Sequence, residues 1–148
     1  IYRYANIGRA RIRGGSANLH YTPSRRWELS LGYQYLDAKD IRSRLPLVYA
    51  PRHRGNVRLT FAEGRQGLLV SLFANFTSPT YYGTSGGAPV YMRGFELMGI
   101  NAEKELGGGL MLRLTLRNLT GDVDPAFRLT APRSVEASLR WRFGGQEN

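Results

Sequence analysis

Between Ser134 and Phe143 the chain alternates without a slip. Val135, Ala137, Leu139, Trp141 and Phe143 fall on one side, and Ser134, Glu136, Ser138, Arg140 and Arg142 fall on the other. Period-two alternation of this kind defines a strand with one apolar and one polar face. Two guanidinium groups and a carboxylate cannot line an ordinary core unpaired, so the polar side must meet water or an ion-pair lattice. A strand of about 9–11 residues with one greasy side and one wet side is what a membrane-spanning β-barrel requires.

The same pattern recurs upstream. In 9–22, Ala17, Leu19 and Tyr21 oppose Ser16, Asn18 and His20; in 27–35, Trp27, Leu29, Leu31, Tyr33 and Tyr35 oppose Glu28, Ser30, Gly32 and Gln34. Val57, Leu59 and Phe61 then oppose Asn56, Arg58 and Thr60. In 68–77 the apolar side is Leu68, Val70, Leu72, Ala74 and Phe76, with Leu69 and Phe73 as apolar residues on the polar side. Met98, Ile100 and Ala102 set the outward face of 95–105, and Leu110, Leu112, Leu114 and Leu116 that of 110–117. Residues 1–5 read as a strand caught partway along, followed by a turn.

Two regularities favour a membrane barrel over a soluble sandwich. Connections alternate between short turns (23–26, 63–66, 107–109) and long segments (36–54, 78–92, 118–132), as expected where short turns lie at one membrane face and long loops at the other. Gly64 is the glycine placed to supply positive φ in the second short turn. The outward aromatics also cluster at strand ends: Tyr21, Trp27, Phe61, Trp141 and Phe143 on the short-turn side, and Tyr33, Tyr35 and Phe76 on the long-loop side. Two aromatic belts enclosing aliphatic residues match the two water–lipid interfaces. Only five residues precede the first turn where a crossing needs ~9–11, so the chain is expected to be part of a larger barrel. Leu114→Arg is expected to be costly on the lipid face, and Thr115→Arg nearly silent on the wet one.

The chain has 148 residues, no cysteine and a formal net charge of +10, and all but two of its 21 basic residues (Lys39 and Lys104) are arginine. A basic balance suits polyanionic partners, which raises a soluble nucleic-acid-binding β-protein as a rival. That rival needs its arginines on one patch, whereas here they recur in nearly every strand and loop, so no nucleic-acid partner is expected. A self-contained eight-stranded outer-membrane barrel is a second rival, which the truncated first strand disfavours. No apolar run approaches the ~18 residues of a membrane helix.

Taken together, the residues resemble the C-terminal third of TonB-dependent outer-membrane receptors. Tyr4-Ala5-Asn6 with Gly8, Arg9, Arg11 and Gly14 resembles the family's descending strand, and Tyr33-Gln34-Tyr35-Leu36-Asp37-Ala38 its strand top. Leu45-Pro46 and Pro51-Arg52-His53 are similar to the loop that follows, and Arg117-Asn118-Leu119-Thr120-Gly121-Asp122 to a later strand end, with one extra residue. Trp141-Arg142-Phe143 is similar to the terminal aromatic signal of barrel assembly, although Gly144 to Asn148 follow it here.

The resemblance implies an antiparallel up-and-down barrel of 22 strands. This chain would supply about seven full strands plus a partial first one as a C-terminal barrel segment (1–143), with 144–148 as a tail. It implies location in the outer membrane of a Gram-negative bacterium and import of a scarce small ligand, such as a siderophore-type chelate or a vitamin. The implied partners are an N-terminal plug and the remaining strands, in the same chain or a separate one, together with outer-membrane lipid and TonB.

Candidate ligand-loop residues are Tyr49, His53, Tyr81, Tyr82 and Tyr91, which fall in long connections where an external ligand would be met. Arg58, Arg113, Arg117, Arg140 and Arg142 are candidate lumen-lining cations. They could attract an anion, or simply form a solvated wall paired with Glu28, Glu103 and Glu136. Trp141 and Phe143 are the candidate assembly signal. His20 and His53 lack a partner at ligand spacing, and Asp122 to Asp124 lacks the further oxygens of a calcium loop, so neither metal nor cofactor is expected. Nor does any catalytic constellation emerge, so no enzymatic activity is expected.

Overall fold

The computed structural model describes residues 9–123 and 131–143. Nine strands follow in order: β1 (Ala10–Ser24), β2 (Trp27–Asp40), β3 (His53–Glu63), β4 (Leu68–Thr77), β5 (Thr80–Ser85), β6 (Ala88–Met92), β7 (Phe95–Gly107), β8 (Leu110–Arg117) and β9 (Ser134–Trp141). Seven form one sheet in the order β1-β2-β3-β4-β7-β8-β9, and β5 with β6 makes a separate hairpin. Each neighbouring pair is antiparallel, so the sheet is an up-and-down meander. Its two edge strands, β1 and β9, each have a partner on one side only among the described residues. Paired edges on a larger sheet remove the liability such edges carry, as in a barrel wall.

The register confirms the facing read from the sequence. Residues opposite each other in an antiparallel ladder point the same way. One row across the sheet runs Leu19↔Leu31, Leu31↔Val57, Val57↔Ala74, Ala74↔Met98. Another runs Leu72↔Ile100, Ile100↔Leu116 and Leu116↔Val135. Every strand places its apolar set on the same face. That face is not packed against a second layer: Leu112, Leu114 and Leu139 are 39%, 38% and 63% exposed. Buried hydrophobic side chains among the described residues are few (Ala38, Tyr81 and Met92), and none of the large ones is fully buried. A soluble sandwich would bury this stripe as its core. An apolar face continuous over seven strands and open to its surroundings suits hydrocarbon.

The belts take shape at the expected ends. Trp27 and Phe61 pack with tilted rings 4.9 Å apart beside the short turns, as do Trp141 and Phe143 at 4.2 Å. Tyr33, Tyr35 and Phe76 stand towards the long loops. Phe73, apolar on the polar side, also has a use: its ring covers Gly99, where an added Cβ would come within 2.3 Å of it, and the Arg58 guanidinium lies 5.9 Å above it. A glycine in mid-strand leaves a gap that a cross-strand aromatic fills.

Four expectations need correction. Residues 36–40 do not belong to a loop: β2 continues to Asp40, and the connection proper is 41–52. At 14 residues β2 exceeds the ~9–11 of a crossing, so its charged end stands clear of the hydrocarbon, where charges on either face meet water. The segment 78–92 is likewise not open loop. Gly86 (φ 59°) and Gly87 (φ 82°) turn β5 into β6, the two-residue positive-φ turn that suits a twisted hairpin. In the short turn after β3, Gly67 rather than Gly64 adopts the left-handed conformation (φ 55°), closing a single 3-10 turn (Gly64–Gln66). Finally, Thr115 faces the polar side as expected but is only 7% exposed, so Thr115→Arg cannot be silent. The expected partial strand at 1–5 and the tail at 144–148 lie outside the described residues.

Candidate functional site: loop tyrosines and an arginine-bearing wall

The long-loop end gathers four of the five candidate loop residues. Tyr49 meets Tyr82 edge-on at 5.8 Å, and Tyr81 meets Tyr91 at 5.6 Å. The Tyr49 amide donates to the Tyr81 carbonyl (3.0 Å), which ties the 41–52 connection to the β5–β6 hairpin. Tyr81 is 7% exposed and anchors the pair, while Tyr49, Tyr82 and Tyr91 present open ring faces. His53 is placed elsewhere. It opens β3 opposite Tyr35, on the apolar face, where its Nδ1 lies 2.7 Å from the Tyr33 hydroxyl and its ring 5.4 Å from that of Tyr35. It completes the upper aromatic belt and does not join the tyrosine cluster.

Beside the cluster is a cavity of about 230 Å³ lined by Asp37, Lys39, Arg52, Tyr81 and Tyr91 among others. Asp37 stands two residues past Tyr35, beyond the belt. The Lys39 Nζ is 3.0 Å and the Arg52 Nη2 3.3 Å from its Oδ1. The hydrogen bond from Lys39, aided by both positive charges against a smaller desolvation, holds the Asp37 carboxyl below the usual carboxylate range. Arg52 also lies 5.8 Å above the Tyr35 ring. Aromatic faces beside fixed charges can hold a planar or amphipathic ligand by stacking and ion pairing.

The candidate lumen arginines all sit on or continue the polar face. Arg113 pairs with Glu103 at 2.9 Å and Arg117 reaches Glu136 at 3.8 Å, two of the pairings expected of a solvated wall. Glu28 turns instead to His20, whose Nδ1 is 3.7 Å away. Arg140 and Arg142 line a recess near the short-turn end, with Arg140 opposite Met111. Arg117, Arg113, Arg140 and Arg142 thus descend the β8–β9 seam from the long-loop end to the short-turn end. Arg58 lies apart, on β3. At the foot of the seam the Trp141 indole N–H donates to the Gly108 carbonyl (3.1 Å), fixing the aromatic pair against the glycine turn.

One organising residue was not singled out in the sequence. Asn118 is 4% exposed with φ 54°, and its amide nitrogen donates to the carbonyls of Asp122 (3.1 Å) and Ala131 (2.7 Å). Its side-chain oxygen accepts from the Thr120 hydroxyl (3.0 Å) and the Asp122 amide (3.2 Å). Asp122 in turn pairs with Arg93 and accepts from the Glu96 amide (3.2 Å). Asp122, at the head of the acidic run, therefore serves loop closure. No cluster of three or more metal-ligating side chains occurs among the described residues. The sequence signals for Asn118 are its place in the Arg117–Asp122 strand-end motif and the turn-forming character of its Asn-Leu-Thr-Gly-Asp string, neither of which assigns it this hydrogen-bonding role.

No curated protein matches the chain. Among solved structures, it is similar to the siderophore receptor PiuA from Acinetobacter baumannii, with 18% identity and a TM-score of 0.63 over 76% of this chain. The chain corresponds to 18% of that receptor's length, and at this identity the likeness establishes the fold. The family described as TonB dependent receptor-like, beta-barrel matches residues 1–119. Its match, with the meander, the open apolar face and the solved relative's fold, leads to one conclusion: the chain belongs to the TonB-dependent receptor β-barrel family and is a segment of such a barrel.

Proposed function

We propose that the chain forms the C-terminal barrel wall and three extracellular loops of a receptor that imports a scarce ligand across the outer membrane of a Gram-negative bacterium. Residues 1–143 are the barrel segment and 144–148 a tail. The remaining strands and an N-terminal plug complete the receptor, and TonB supplies the energy through the plug. The observation that carries this reading is the seven-strand meander with its apolar face open and its long connections all at one end, within a matched family. The ligand class, a siderophore-type chelate or a vitamin, draws support from the tyrosine cluster at the loop end and from the solved relative's being a siderophore receptor. Arg140 and Arg142, which form no ion pair among the described residues, favour an anionic ligand on its way down the lumen, whereas Arg113 and Arg117 are paired with Glu103 and Glu136. Trp141 and Phe143 act as the assembly signal.

The test is uptake by cells carrying the complete receptor. Replacing the exposed Tyr49, Tyr82 and Tyr91 by alanine together is expected to lower accumulation of the labelled ligand about tenfold or more, since each lost aromatic contact is worth on the order of 1 kcal/mol. The amount of assembled barrel should not change. A receptor whose deletion alters uptake of no ferric chelate and no corrinoid would contradict the reading.

A further inference from the structure

Across β1 to β4 the polar face carries two adjacent rows set by register. One row joins Asn18, Gly32, Asn56 and Asn75, and the next, towards the long loops, places Gln34 opposite Arg54. On β2 the rows fall one residue either side of Tyr33, so they stand at the height of the upper aromatic belt but on the other face of the wall. Together they line a recess of about 370 Å³. Gly32 is its floor. An added Cβ there would overlap the Asn56 amide and come within 3.0 Å of the Asn18 Oδ1, so both amides lean over the gap that the missing side chain leaves.

The polar groups of this stretch have no use within the wall. Elsewhere on the same face Thr60 bonds Ser71 (3.1 Å), His20 bonds Ser30 (3.2 Å) and Arg113 pairs with Glu103 (2.9 Å). The side chains of Asn18, Gln34, Arg54, Asn56 and Asn75 make no hydrogen bond or ion pair among the described residues, and all five are exposed. A primary amide carries two donor hydrogens and an acceptor oxygen on one short arm. Amides grouped round a single guanidinium therefore match a surface on which carbonyls alternate with N–H or O–H groups, and they balance one negative charge. A polyanion drawn from water against one cation would leave most of its charge uncompensated.

We propose that this recess is a subsite for the amide- or hydroxyl-rich face of a ligand with at most one anionic group, its polar groups set against the three asparagines and its charge against Arg54. Two ligand types share that chemistry. A ferric chelate built on hydroxamates is neutral, because three single charges match the iron, and a corrinoid carries a rim of amides and one phosphodiester. A chelate built on catecholates stays triply anionic and does not fit. The inference rests on the import function proposed above and narrows its ligand.

The test is titration calorimetry on the complete receptor in detergent, with every variant first shown to be an assembled, heat-modifiable barrel. The probes are a neutral ferric trihydroxamate, cobalamin and a ferric tricatecholate. Wild type is expected to bind one of the first two about tenfold or more tightly than the tricatecholate, and whichever binds identifies the source. The double variant Asn18→Leu, Asn56→Leu should weaken that probe about tenfold or more, the loss expected of two hydrogen bonds. Gly32→Ala removes no polar group but pushes the two amides apart, and should weaken it severalfold. Thr60→Val, lower on the same face, should match wild type. Wild-type affinity in either the double variant or Gly32→Ala overturns the proposal and leaves the receptor reading intact, as does a preference for the tricatecholate. Binding of none of the three overturns it too; if deletion of the receptor also leaves uptake of ferric chelates and corrinoids unaltered, the function on which it rests falls with it.

Discussion

Asn118 shows how much a single polar side chain can hold when it is placed under a long loop. Its amide satisfies two carbonyls and its oxygen accepts two donors, so the base of the β8–β9 connection closes on a residue hidden from water. Asn118→Ala leaves those partners unmatched and puts a Cβ residue without a compensating side chain at positive φ. A loss of roughly 2–3 kcal/mol is expected, read as a lower unfolding midpoint in detergent, with faster proteolysis between Asn118 and Pro132. Asn118→Gly relieves the backbone and should fall between the two. Gly99 makes the converse case, since any side chain there meets the Phe73 ring and the Leu116 carbonyl, the latter at 2.6 Å from an added Cβ. Gly99→Ala is expected to cost about 1–3 kcal/mol, and Gly99→Ala with Phe73→Leu less, because the ring has gone.

At the scale of the strand, facing decides cost. Leu114, between Ala102 and Ala137 on the apolar face, is expected to lose about 2–4 kcal/mol on conversion to arginine near mid-bilayer. Asn75, exposed on the polar face between Asn56 and Leu97, should change by less than about 0.5 kcal/mol on the same substitution, measured by equilibrium unfolding in lipid. Thr115 is unsuitable as the wet-face control because its neighbours cover it. Alternation made most of this legible in advance. The strands 68–77 and 110–117 match β4 and β8 to the residue, and the facing of Met98, Ile100 and Ala102 held although 95–105 carried the weakest pattern. Legibility ended where the solvent on the two faces stops differing. Past Tyr35 both sides of β2 meet water, so Asp37, Lys39 and Asp40 read as loop, although β1 holds them in a ladder. The β5–β6 hairpin was hidden for a related reason, since its Gly, Ser, Pro and Tyr composition carries no apolar period for so short a pair. Of the candidate site, the tyrosine cluster was readable as residue types in loops, whereas the departure of His53 to the belt was set by register alone.

At the scale of the molecule, the sheet is a wall whose two sides face different solvents, and its stability comes from matching each side to its own. Trp141 and Phe143 close the lower belt at the last strand, with the indole bonded to the glycine turn. Trp141→Ala is expected to reduce the fraction of heat-modifiable, fully assembled barrel in outer membranes several-fold while leaving synthesis unchanged, with Trp141→Phe largely restoring it. The central claim, that the apolar stripe touches hydrocarbon while its partner stripe meets water, can be read directly because the chain has no native cysteine. In the complete receptor, any cysteines outside this chain would be replaced by serine. Single cysteines introduced by Leu112→Cys, Leu114→Cys, Ala137→Cys and Leu139→Cys, and by Arg113→Cys, Glu136→Cys, Ser138→Cys and Arg140→Cys, would carry a spin label in lipid bilayers. Relaxation by oxygen, which concentrates in hydrocarbon, and by a water-soluble nickel chelate would then be compared position by position. The account predicts a strict period-two exchange, oxygen dominating at the first set and nickel at the second. Equal accessibility on the two faces, or shielding of the leucine positions from both reagents, would contradict it.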